Sequence, residues 1–117
     1  LKMYFQDHRI EIVNFASKFE SEVRLQALAD DGRSGPPGAL TSAETQDLVA
    51  ILRRLRLGAA LRDQKATQCI SYKVGGSDLG TAGFLHTLPG CPRPKMDPDG
   101  LMYVESVAPD WYVYRKG

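Results

Sequence analysis

The stretch that most restricts the fold is residues 101–116, LMYVESVAPDWYVYRK, which holds the only Trp and three of the five Tyr of the chain, interleaved with Val. Aromatic and β-branched side chains favour strands because they cover a pleated, half-buried surface well. Ala108-Pro109-Asp110 interrupts the run with turn residues. The pattern predicts two antiparallel strands joined at Pro109-Asp110, forming the floor on which the rest of the chain packs.

Upstream, the period changes to that of helices. Ile12, Phe15, Ala16, Phe19, Val23 and Ala27 recur at spacings of three and four, and no Pro or Gly intervenes. This predicts one amphipathic helix over about 7–31, with Asp7 as N-cap and Gly32 as its stop. The segment DGRSGPPGA, with three glycines and Pro36-Pro37, reads as a linker over 31–40. Thr41-Ser42-Ala43-Glu44 then matches a capping box, in which the Thr41 side chain and the Glu44 side chain satisfy each other's backbone amides. Leu48, Ile51, Leu52 and Leu55 continue it as an apolar stripe, and Ala59, Ala60 and Leu61 extend the expected helix through Gly58 to about 42–63.

From Thr67 apolar and polar residues alternate: Ile70, Tyr72 and Val74 against Ser71 and Lys73. A glycine-rich loop is expected over 75–83, a short strand over 84–88, and an irregular proline-rich stretch to Gly100. The expected architecture is α+β: two antiparallel helices packed on a small three- to four-stranded antiparallel sheet, with the β-rich part at 67–117. At 117 residues, 43% hydrophobic and 25% charged, the chain is expected to form a single domain, 1–117, with a core that needs no metal or set of disulfides. A long N-terminal helix followed by a sheet with paired cysteines is loosely similar to pilin-like proteins. The proline–glycine break and the second helix depart from that pattern, and no family is assigned.

The glycine loop is not a phosphate cradle, because Gly80 is followed by Thr81-Ala82 rather than Lys-Ser/Thr. A helix is also not expected to open after it. Asp97-Pro98-Asp99-Gly100 with Glu105 falls short of a calcium loop, since Glu105 is five residues after the glycine and lies in an expected strand. No cofactor or metal is expected. Cys69, Cys91 and His86 match no zinc spacing. A nucleophilic Cys91 with His86, making a small Cys/His-dependent enzyme, is the third-ranked function.

Cys91, between Gly90 and Pro92, reads as tethered rather than core-packed. A Cys69–Cys91 disulfide would close a loop of about 20 residues and stabilise by about 3 kcal/mol; free cytosolic thiols are the alternative. The bonded form suits an extracytoplasmic compartment, periplasmic or secreted. The chain starts at Leu1 with an apolar and aromatic opening, which is read as following a membrane anchor upstream of residue 1; a helix start packed on the core is the alternative. A net charge of +1 gives no global electrostatic reason for binding nucleic acid. Arg53, Arg54 and Arg56 are nevertheless a local basic concentration, and a cytosolic nucleic-acid-associated protein using 53–65 is the second-ranked function. The leading expectation is a non-enzymatic interaction domain with a protein partner. Its candidate surface is Tyr103, Trp111, Tyr112 and Tyr114, with Trp111 on one face of the sheet and Tyr112 and Tyr114 on the other; an oligomer through helix 1 is a further expectation.

Overall fold

The structure, a computed structural model, describes residues 1–74, 81–97 and 100–116, apart from the side chain of Met102. The architecture is α+β, with three helices and a seven-stranded antiparallel sheet. The sheet is therefore larger than the three to four strands expected. In chain order the elements are α1 (Lys2–Asp7), α2 (Arg9–Ser21), β1 (Ala27–Ala29), β2 (Ser34–Gly35), α3 (Ser42–Arg54), β3 (Leu57–Arg62), β4 (Cys69–Val74), β5 (Thr81–Thr87), β6 (Leu101–Ala108) and β7 (Trp111–Lys116). The strands lie side by side as β2-β1-β3-β4-β5-β7-β6.

The expected helix over 7–31 is corrected at both ends. It starts earlier, at Lys2, and is interrupted at His8. It stops at Ser21, and Ala27–Ala29 is drawn into the sheet. There Ala27 and Leu28 pair with β2 on one side, and 27–29 pair with β3 on the other. Val23, assigned to the buried stripe by its spacing, is 78% exposed. The expected linker contains β2, and the β1–β2 turn closes through Gly32 at φ 93° and an Asp31 carboxylate that accepts from the Arg33 amide at 3.0 Å.

The second helix keeps its predicted start. The Thr41 hydroxyl accepts from the Glu44 amide at 3.1 Å, and the Glu44 carboxylate accepts from the Thr41 amide at 2.9 Å. These bonds hold the Glu44 carboxyl below its ordinary range, the contribution of the Thr41 backbone being the largest. Thr41→Ala is expected to cost about 1 kcal/mol, read as a shift of the urea midpoint; an unchanged midpoint would show the box to be idle. The helix ends at Arg54, not at 63. Arg56 takes a left-handed φ of 57°, reversing the chain so that 57–62 pairs as a strand with β4.

All three helices pack on one face of the sheet. Phe5, Ile12, Phe15 and Phe19 from α1 and α2, with Leu48 and Leu52 from α3, join Ile70, Tyr72, Phe84, Trp111 and Val113 in one core. The Tyr72 ring meets Phe15 and Phe19 edge-on at 6.1 Å, and Phe5 lies 5.4 Å from Phe84 and from Trp111. Because side chains alternate along a strand, the registers place Leu61, Ser71, Leu85 and Tyr112, and likewise Lys73, Gly83 and Tyr114, on the opposite face.

The same parity puts Cys69 on that open face, where it is bonded to Cys91 with a Cα–Cα separation of 5.3 Å. β5 and β6 are both antiparallel to β7, which lies between them, so the connection after β5 must cross over β7. The disulfide holds the start of that connection to the open side, helped by the Leu88 amide donating to the Gln68 carbonyl at 2.8 Å.

Candidate functional site

The open face carries a groove of about 750 Å³, within the range of ligand sites in general. Leu61 on β3, Leu85 on β5, Leu101 on β6 and Tyr114 on β7 form its apolar lining. Among the described residues, Lys65, Lys73 and Lys116 bring three cations to its margin and Asp63 brings one acid; Arg62 also lines it, but its guanidinium is turned to the helix side. The Asp63 carboxylate is occupied by its own turn, accepting from the Lys65 and Ala66 amides at 2.8 and 3.0 Å. Among the described residues, none of these three lysines forms a salt bridge. Arg62 is instead held by carbonyls, donating to Leu25 and Glu20 at 3.3 Å each, with its guanidinium over the Phe19 ring.

The aromatic residues singled out from the sequence divide between environments. Trp111 is 5% exposed and stacks on His86 with centroids 4.3 Å apart, so it belongs to the core. Tyr114 lies on the open face but is 4% exposed. Its strand partner is Gly83, whose missing side chain leaves room for the ring to lie across β5 toward Ser71. Burial pushes the Tyr114 phenol up to about 12, against a smaller lowering by hydrogen bonding with Ser71. Tyr112 is half-buried on the open face. Tyr103 is exposed beside α1, where its hydroxyl donates to Glu105 and the Lys2 ammonium lies 2.9 Å from the same carboxylate. The four aromatics therefore do not form one continuous surface.

The basic residues likewise separate. Arg53 donates to the Asp30 carbonyl at 2.9 Å, Arg54 lies 3.5 Å from the Glu11 carboxylate, and Arg56 sits in the left-handed turn after α3. Cys91 is disulfide-bonded on the open side and His86 lies on the helix side, so the Cys91–His86 pair does not assemble. Among the described residues no group of three or more His, Cys, Asp or Glu comes together to hold a metal ion. Residues 75–80 of the glycine loop, and 98–99 of the calcium-like stretch, lie outside the described residues. Thr81 to Gly83, expected in that loop, begin β5 instead.

One polar cluster had no sequence signal. The Glu20 carboxylate at the end of α2 accepts from the Tyr72 hydroxyl at 2.5 Å and lies 2.7 Å from His86 Nδ1. Its members are 52 and 66 residues apart, so no local motif marks them. The cluster pins α2 to β4 and β5 and satisfies a phenol that the Phe15–Phe19 packing buries. Burial, then the adjacent Glu20 charge, raises the Tyr72 phenol far above its ordinary range.

The two buried phenols predict an alkaline limit. Folded Tyr114 keeps its proton to about 12, whereas the unfolded chain releases it near 10. Stability that is complete below the unfolded value is then lost as pH rises toward the folded value. For Tyr114 this amounts to about 1 kcal/mol between pH 10 and 11, and Tyr72 acts in the same direction. Urea unfolding of the wild type and of Tyr114→Phe across this interval checks it; equal slopes would reject the assignment.

The sequence matches no protein-family model, and neither a curated protein nor a solved structure matches it. No helix among the described residues is long and apolar enough to cross a membrane. The disulfide is consistent with an oxidising, extracytoplasmic location.

Proposed function

We propose that this chain is a non-enzymatic, extracytoplasmic interaction domain that receives a protein partner on the open face of its sheet. The observation that carries this reading is the groove of about 750 Å³ lined by Leu61, Leu85, Leu101 and Tyr114, on the face that the helices leave uncovered. Apolar lining supplies area to bury, and a charged margin supplies orientation. The disulfide supports the compartment.

Photocrosslinking in the source cells tests the reading. Benzoylphenylalanine at Leu85 is expected to give a discrete protein adduct, while the same group at the exposed Asp47 of α3 gives none. An adduct from Ile10 on α2, 77% exposed, with none from Leu85 would move the interface to the helices and overturn the open-face assignment. Attachment to a membrane through sequence upstream of residue 1 belongs to the same proposal. An apolar run of about 20 residues there supports it, and a polar sequence rejects it.

A further inference from the structure

The charge distribution around the groove specifies its occupant. We infer that the groove takes an extended, acidic protein segment, whose carboxylates meet Lys65, Lys73 and Lys116 while its apolar side chains lie on Leu61, Leu85 and Leu101. This rests on the open face being the interaction surface, and adds the chemistry of the partner.

Three observations carry it. First, among the described residues, Lys65, Lys73 and Lys116 line one groove with a single acid, Asp63, whose carboxylate is already held by two amides. Lys2, away from the groove, meets Glu105 at 2.9 Å. The lysines of the groove form no salt bridge among the described residues, and they face an incoming carboxylate with their charge. Long-range attraction of this kind raises association rates and selects against cationic partners.

Second, the groove crosses the sheet from β3 to β6, over the order β3-β4-β5-β7-β6. Four strand spacings of about 4.8 Å make about 19 Å, the length of about six extended residues. Third, the lining is aliphatic where a single-stranded nucleic acid would need aromatic platforms for its bases. Tyr114, the aromatic ring in the lining, is 4% exposed and presents no open face for stacking. A polyanion that binds by its backbone alone would leave the leucines unused.

The test uses the whole chain, isotope-labelled and oxidised, titrated with an eight-residue capped peptide alternating Glu and Val. The expected result is movement of the amide resonances of Leu61, Ser71, Lys73 and Leu85. The same peptide with Gln for Glu is expected to bind at least tenfold more weakly, as is the Glu peptide to K73E/K116E. If that double variant melts early, K73Q/K116Q, which removes charge without reversing it, carries the same expectation. Equal binding of the Glu and Gln peptides overturns the acidic specificity but leaves the groove as a docking surface. An acidic peptide that moves no groove resonance overturns the inference outright, whereas the Leu85 crosslink decides the interaction reading separately. Tighter binding of an eight-residue oligothymidylate, or of dodecanoate, at the same resonances would replace the peptide by a nucleic acid or an amphiphile.

Discussion

Gly83→Ala is expected to destabilise the fold by about 3 kcal/mol or more, an overpacking effect at the upper end for one methyl group. A Cβ built at Gly83 lies 2.2 Å from the Tyr72 carbonyl oxygen and 3.0 Å from the Lys73 Cα. Both neighbours are backbone, so no side-chain rotation relieves the contact. β5 is flanked by β4 and β7, and moving it apart from β4 disturbs the pairing on both sides. Urea unfolding at neutral pH reads the loss directly. A midpoint within error of wild type would show that the close approach at Gly83 is not part of the folded state. Gly35→Ala, where an added Cβ meets nothing within 4 Å, is the matched control and should cost far less.

Removing the disulfide is the second large effect. Cys69 and Cys91 are 22 residues apart, and opening a loop of that length is worth about 3 kcal/mol in the chain-entropy description. For a domain of this size that corresponds to a fall in Tm of about 10–15 °C. C69A/C91A should show it by thermal melting, and reduction of the wild type should reproduce it. The loss should also have a location. The bond holds the start of the β5–β6 connection to the open face, so amide exchange in residues 88–97 should accelerate more than in β4 and β5. A reduced protein with unchanged Tm would mean that the backbone bond from Leu88 to Gln68 and the sheet hold the connection alone.

How much of this was legible in the sequence depended on the range of the interactions. The capping box at Thr41 and Glu44 spans three residues and forms as read. The alternation over 70–74 and 111–114 has the period of a pleat, and those segments are strands. The disulfide was inferred from two cysteines in a β-rich half and is present. What failed was the treatment of alanine- and leucine-rich segments. Ala27–Ala29 and Leu57–Arg62 have the composition of helices, and intrinsic propensity is a weak prior against pairing with a neighbouring strand. They become strands because Arg56 turns the chain back and β4 supplies partners for β3, which supplies them for β1. Recognising this required knowing that distant segments meet. The same holds for the site. Leu61, Lys65, Leu85 and Lys116 come from separate elements, and nothing near any of them in sequence marks a groove. The aromatic residues drew attention instead, although Trp111 is in the core and Tyr114, on the open face, is 4% exposed.

The position of β7 has a consequence for how the protein is made. β7 is an interior strand, inserted between β5 and β6, and it pairs with both. During synthesis or export from the N-terminus, β5 and β6 cannot be bridged until residues 111–116 are free to join them. Until then two strand edges stay open, the condition under which sheets mispair with other chains. A ribosome or translocation pore still holding residue 116 would therefore hold back closure of the sheet, and with it the groove whose lining β7 completes.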